Sequence, residues 1–305
     1  DRPIQVVERL VGEAARAVAA PAAGENGVEA RDRVGGGHEV GGGDQDLLPP
    51  DARLLAVEHG VAGADTGVEV EGDVGVRGGA ADLEVDAFLK RELGALLPSA
   101  GWLSEETADD PKRLGNDLIW LVDPIDGTNN FLHGIPHFAV SIACLHKGQL
   151  EHAVVLDPIK REEFTASRGK GAMLNDRRIR VSGRNGLEGA LVGTGIPFNG
   201  ASYSNMDPYL EYMKEVAGQT AGIRRPGSAA LDLAYVAAGR FDGFWEMNLK
   251  PWDIAGGVLL LKEAGALVSD FKGGNSYMER GNIVAANPKV FKPLLQIVGR
   301  TMGDV

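Results

Sequence analysis

The run Asp123-Pro124-Ile125-Asp126-Gly127-Thr128, set directly behind Leu118-Ile119-Trp120-Leu121-Val122, constrains this chain more than any other stretch. Five consecutive apolar residues read as a buried strand. That strand then delivers two carboxylates, three residues apart, into a glycine turn. Like charges held close repel, and each resists leaving water. A divalent cation removes both penalties, so the run predicts a site built around hard metal ions.

Two further segments place acids where an apolar stretch meets a turn or a helix start. Glu105-Glu106 follows Gly101-Trp102-Leu103-Ser104, and Asp253 lies in Lys250-Pro251-Trp252-Asp253-Ile254. Each has an ordinary reading when taken alone. Asp253 suits a helix N-cap, Glu105-Glu106 a solvated pair, and Asp123 to Asp126 an Asx turn. Together they suit Mg2+, which takes oxygen ligands in an octahedron with few protein carboxylates and several waters. Two such ions flanking a phosphate ester activate a water on one side and stabilise the leaving oxygen on the other. Residues 126–130 then read as a helix start whose free N–H groups face a phosphate. Gly127 lets the backbone approach closely.

Around these segments the patterning from about Asp82 onward is that of an ordinary globular chain. Helices are expected over 84–97 (stopped by Pro98), 204–217, 229–238, 254–264 and 289–298. Strands are expected over 118–122, 138–145, 150–156, 162–167, 190–195, 243–246, 266–270 and 282–286. The elements mix without strict βαβ alternation, which favours a layered α/β or α+β sandwich over a barrel.

The first 80 residues differ. They contain no Lys, Ser, Cys, Met, Phe, Tyr or Trp, and Gly, Ala, Val, Asp and Glu fill 57 of the 80 positions. Seven arginines against fifteen acids give this segment -8 of the chain's formal charge of -12. An amphipathic helix fits residues 4–20, but without aromatics the rest has little to bury against its chain entropy. Two readings stand: a disordered segment, or a GC-rich gene read in a wrong frame or from a misjudged start, since all five dominant residues have codons beginning with G. The expected organisation is this atypical segment over 1–80 and a catalytic domain over 81–305.

A net charge of -12 argues against a general nucleic-acid binder. The single cysteine, Cys144, excludes a disulfide framework and reads as a core residue. No stretch has transmembrane length and no signal peptide is visible, so a cytoplasmic protein without membrane contact is expected.

The acid-bearing segments resemble the inositol monophosphatase family, within the larger group of Mg2+-dependent, lithium-sensitive phosphatases. Gly171-Ala172-Met173-Leu174-Asn175 and Gly227-Ser228-Ala229-Ala230-Leu231 also resemble family segments, in order, across roughly residues 81–300. The resemblance implies the α/β sandwich of the inositol monophosphatase and fructose-1,6-bisphosphatase type, commonly a homodimer. It implies that Glu105, Asp123 and the carbonyl of Ile125 hold a first Mg2+, and Asp123, Asp126 and Asp253 a second, with a third ion near Glu105. Thr128 would orient the attacking water, with Asp82 as its partner. Gly127 and Thr128 would bind phosphate, Glu246 would bond substrate hydroxyls, and Gly227, Ser228 and Ala229 would line the pocket. The implied reaction is hydrolysis of inositol 1-phosphate or another small polyol phosphate.

Ala81-Asp82 matches the end of a Val-Thr-x-Ala-Asp type segment that the family carries, while Arg77-Gly78-Gly79-Ala80 does not, and Glu71 stands near the place of a family lysine. Ligands held imperfectly for this reason would cost rate, because misplacement by about 1 Å costs on the order of 100-fold. His133 and His137 read as loop histidines, and Arg224-Arg225 as a solvated turn. A nucleotide bisphosphate, fructose bisphosphate or histidinol phosphate is the alternative substrate. A catalytically impaired scaffold that regulates a partner is the alternative class.

Overall fold

The computed structural model describes residues 74–196 and 206–302, with side chains over 81–196 and 206–300. The helix expected over 4–20 lies outside these residues. Helix α1 (Val74–Leu96) leads to strand β1 (Gly101–Ser104), a 3-10 turn at Pro111–Gly115, β2 (Leu118–Asp126) and the short α2 (Thr128–Leu132). Strands β3 (Ala139–His146), β4 (Gln149–Asp157), β5 (Glu162–Ser167), β6 (Gly171–Leu174) and β7 (Arg177–Arg178) follow. The second half contains β8 (Leu191–Thr194), α3 (Met206–Gln219), β9 (Gly222–Arg224), α4 (Ala229–Ala237) and β10 (Gly243–Glu246). It closes with α5 (Pro251–Ala264), β11 (Leu267–Ser269), α6 (Tyr277–Arg280), β12 (Ile283–Ala286) and α7 (Pro288–Met302).

The strands form two sheets. One has seven strands in the order β1 to β7, with β1 and β2 parallel and each later pair antiparallel. The other has five, in the order β11-β12-β10-β8-β9, with β8 parallel to both of its neighbours. Helices α4 and α5 lie between the sheets. Their Leu231, Leu233, Ile254 and Val258 share one core with Val155 and Phe164 of the first sheet and Phe244 and Ile283 of the second. Gly257 permits this close pairing, since a side chain there would run into Leu233 of α4.

The outer faces are also covered. Leu89 and Leu93 of α1 pack on Trp120, Val122, Ile142 and Val154. Tyr212 and Val216 of α3 and Val290 and Leu294 of α7 enclose Trp245 and Val284. Side chains alternate across β2 as the pleat requires: Trp120 and Val122 face α1, while Leu121 meets Ala255 of α5. The result is a five-layer α+β sandwich.

The start of the first helix differs most from expectation. Helix α1 starts at Val74, not near Glu84, so Asp82 lies inside the helix and not on a segment ahead of it. Gly78-Gly79 weaken the helical signal. The inward positions of that turn are also the acids Asp82 and Asp86, 3% and 4% exposed, so the apolar stripe stops where the helix continues. Among the described residues, no helix is long and apolar enough to cross a membrane.

Candidate active site

The buried stretch of β2 runs on through Asp123 and Asp126, which are 2% and 8% exposed. Pro124 has no N–H for the ladder, and the pairing with β3 slips between Asp123 and Asp126. Residues three apart on a regular strand face opposite sides. The slip brings both carboxylates into each other's field. Asp123 Oδ1 accepts from the Ile125 N–H at 3.1 Å.

Gly127 follows with φ of 101°, a left-handed conformation, as the N-cap of α2. A Cβ on it would stand 3.0 Å from the Gly227 carbonyl and 3.3 Å from that of His137. Asn130 maintains this approach. Its Nδ2 donates to the carbonyls of His137 at 2.7 Å and Pro226 at 2.8 Å.

Asp126 reaches the second half of the chain. Its Oδ2 accepts from the Ser228 hydroxyl and from the Ala230 N–H at 2.8 Å, at the start of α4. The positive end of that helix favours the anion. Asp253 arrives on α5 as its third residue. The N-cap is Lys250, so the N-cap reading of Asp253 is corrected: its Oδ2 reaches back to the Lys250 N–H at 2.7 Å. Glu105 sits just past β1 and is exposed, with its N–H on the Val122 carbonyl at 3.3 Å and its carboxyl hydrogen-bonded to Asp123.

These groups raise one another. Burial pushes Asp123 well above the carboxylate range, and Asp126, Asp253, Glu105 and Asp82 push it further. Burial raises Asp126 to about 6, against the opposing hydrogen bonds from Ser228 and from the N–H groups of Ala230 and Ala229. Asp253 rises to about 8 through burial and the charge of Asp126. Asp82 rises to about 7 through burial, Glu106 and Glu105. Glu105, exposed as a residue, is raised by partial desolvation of its carboxyl, by Glu106 and by Asp126, against a lowering contribution from Asp123.

The donor set is therefore all hard oxygen, held close and short of positive charge, which fits Mg2+ by chemistry. As the side chains stand, no group of three His, Cys, Asp or Glu among the described residues is arranged to hold an ion. The Glu105 carboxyl turns onto Asp123, and Asp253 turns back onto Lys250. Asp126 and Asp253 each keep a second oxygen outside the bonds named.

Thr128 does not meet Asp82. Its hydroxyl donates to the Ile125 carbonyl at 3.1 Å, while the Asp82 carboxyl is felt at Asp123. Glu246, expected to bond substrate hydroxyls, ends β10 and is raised to about 8 by burial, Asp126 and Asp253, with Arg225 acting in the opposite direction. Gly195 leaves the space for its carboxylate, since a Cβ there would overlap it. Gly227, Ser228 and Ala229 form the turn into α4, with Ser228 as N-cap. His133 caps the end of α2. His137 lies beside Lys160, and burial lowers it to about 4. Arg224 donates to the carbonyl of its neighbour Ile223. Cys144 is buried, its thiol pushed up to about 12.

Three residues had no role in the sequence reading. Asp86 binds the Glu105 turn, Asn130 joins two loops, and Asp232 is 1% exposed with no hydrogen-bond partner on Oδ1. The i, i+4 spacing of Asp82 and Asp86 was the one available signal.

A family model described as the inositol monophosphatase family matches residues 68–300. A Pseudomonas aeruginosa protein named Nus factor SuhB is 63% identical over 184 residues, 60% of this chain and 68% of the relative. A Rhizobium meliloti inositol-1-monophosphatase is 48% identical over 220 residues, 72% of this chain and 82% of the relative. Among solved structures, inositol monophosphatase from Anabaena superposes with a TM-score of 0.72 at 29% identity, covering 99% of this chain and 98% of that one. The suppressor protein suhB from Bartonella henselae gives 0.70 at 39% identity, covering 82% of this chain and 95% of that one. With the family pattern matched along most of its length and the sandwich shared with solved members, this chain belongs to the inositol monophosphatase family.

Proposed function

We propose that this protein hydrolyses a small phosphate monoester, foremost inositol 1-phosphate, with Mg2+ as cofactor. The observation that carries this reading is the placement of Asp123 and Asp126 at the slip in β2 beside the Gly127-Thr128 turn, with Asp253 on the first turn of α5 and Glu105 just past β1, near enough that the other three charges act on Asp123. Glu105, Asp123 and the Ile125 carbonyl would hold one ion, Asp123, Asp126 and Asp253 a second, and a third would join at Glu105. When bound, Mg2+ supplies an acidified water and neutralises charge on the phosphoryl and leaving oxygens.

The chain's own groups supply the rest. The Gly127 and Thr128 N–H groups orient the phosphate. The Thr128 hydroxyl donates its hydrogen bond to the Ile125 carbonyl, which leaves the hydroxyl's lone pairs to accept from the attacking water. A relay from Thr128 to Asp82 requires Thr128 to turn away from Ile125. Water adds to phosphorus in line and the ester P–O bond breaks; of the attacking water's two protons one passes, through solvent water, to the leaving alkoxide and the other stays on the phosphate, which gives the polyol and inorganic phosphate. Glu246 accepts from adjacent substrate hydroxyls once ionised, a state Arg225 favours.

Phosphate release from inositol 1-phosphate, measured with Mg2+ and with EDTA, tests this function. Turnover with Mg2+ alone is expected, inhibited by lithium. No Mg2+-dependent release from this ester, fructose bisphosphate, a nucleotide bisphosphate or histidinol phosphate sinks the reading. Gly195→Ala tests the substrate wall. Displacing Glu246 is expected to raise KM about 10-fold, the worth of one charged hydrogen bond, with kcat changed less. An unchanged KM removes Glu246 from the substrate contacts.

The name Nus factor, carried by relatives 63% and 54% identical to this chain, favours a second reading. In it the same scaffold acts as a factor through a macromolecular partner. The net charge of -12 argues against general nucleic-acid binding and leaves protein contacts open. We also place the protein in the cytoplasm as a homodimer, which sedimentation would check.

A further inference from the structure

We propose that Asp86 is a positioning residue for the Glu105 turn: from α1 it holds the hydroxyls on both sides of Glu105-Glu106, and so sets the affinity of the site for a divalent cation. The proposal rests on the metal-site reading above.

Asp86 is 4% exposed and lies one helical turn beyond Asp82, on the same face of α1. One of its oxygens accepts from the Ser104 hydroxyl, and the other accepts from the Thr107 hydroxyl at 2.6 Å. Bonds from hydroxyls to a carboxylate are among the stronger side-chain hydrogen bonds. Ser104 Oγ also accepts from the Glu106 N–H at 3.4 Å. With the Glu105 N–H on the Val122 carbonyl, the turn is tied to both β2 and α1. Glu105 is then presented from a segment held on either side, although the residue itself is exposed.

The choice of an acid here is informative. Asp86 raises Glu106 through its charge, and Asp82, Glu105 and Glu106 already oppose one another nearby. An asparagine would accept from only one hydroxyl and would have to donate its Nδ2 to the other, without adding charge. Only a carboxylate accepts from both hydroxyls at once. The added repulsion is recovered when a cation enters the cluster.

Mn2+ titration by electron paramagnetic resonance tests this on the full-length protein. Parent, Asp86→Ala, Asp86→Asn and Thr107→Val would be compared, each checked for folding by circular dichroism. Loss of a partner that orients a ligand typically weakens metal binding about 10- to 100-fold. Asp86→Ala is expected in that range, with Asp86→Asn and Thr107→Val between it and the parent. A merely structural role would lower the melting temperature and leave the affinity of folded protein unchanged. Parent-like Mn2+ affinity in the Asp86 variants and Thr107→Val therefore overturns the proposal. If Asp86→Ala does not fold, Asp86→Asn and Thr107→Val decide it. No Mn2+ binding by the parent overturns the metal-site reading itself and this proposal with it.

Discussion

Asp123→Asn is expected to abolish Mg2+-dependent phosphate release while raising the melting temperature of the metal-free protein. Both effects arise from one buried charge. Asp123 is 2% exposed, and burial together with four neighbouring acids disfavours its ionised form. Asparagine keeps the shape and the acceptor for the Ile125 N–H but carries no charge. The repulsion disappears, and so does the ligand proposed to be shared by two ions. Changing residues that merely orient metal ligands costs about 10- to 100-fold, so loss of a shared ligand should exceed the upper figure. Phosphate release and thermal melts on one preparation read both effects. Equal activity in parent and variant rejects the metal-phosphatase reading. A variant that loses turnover yet keeps a partner-dependent role separates the two proposed functions.

The second large effect is in pH. Asp126, Asp82, Glu246 and Asp253 have folded values of about 6, 7, 8 and 8, all above the ordinary carboxylate range. The folded state therefore holds more protons than the unfolded chain between about pH 4 and 8. Stability is then full below the ordinary carboxylate range and falls as pH rises through those values. The Lys250 N–H and charge and the Arg225 charge oppose the trend without cancelling it. In EDTA, the urea midpoint should decline from pH 5 to pH 8. Saturating Mg2+ should remove most of that decline, because a cation binds the deprotonated acids. An EDTA midpoint that is level or rises over this range would show that the acids are not coupled as described.

The fold was legible where its signals were local. The apolar run of β2 and the Pro98 stop after α1 are each read from a few adjacent residues, and most of the expected strands and helices fall within a few positions of those found. Strand β1 was not expected, because four residues acquire their meaning only by lying parallel to β2. The start of α1 was obscured by two glycines and by acids where leucines would have extended the stripe. The four acids proposed to hold metal were legible as a group because each stood at an apolar junction. Their hydrogen bonds were not, since Asp126 meets Ser228 from 102 positions away. Lys250 gives no capping signal, so Asp253 looked like the cap when it is the residue that reaches back to it.

That long-range bond has a consequence for how the two halves communicate. Asp126 belongs to the first sheet, yet it anchors the start of the helix that follows the Gly227 turn, and the strand ending in Glu246 comes next. Ordering of this wall by a bound polyol and filling of the acid cluster by a cation would therefore act on one shared carboxylate. Thermodynamic reciprocity then requires that whatever factor the cation adds to polyol affinity, the polyol returns to cation affinity. Changes in substrate preference that act through the Ser228 turn would shift cation requirement as well, so the two traits would be inherited together.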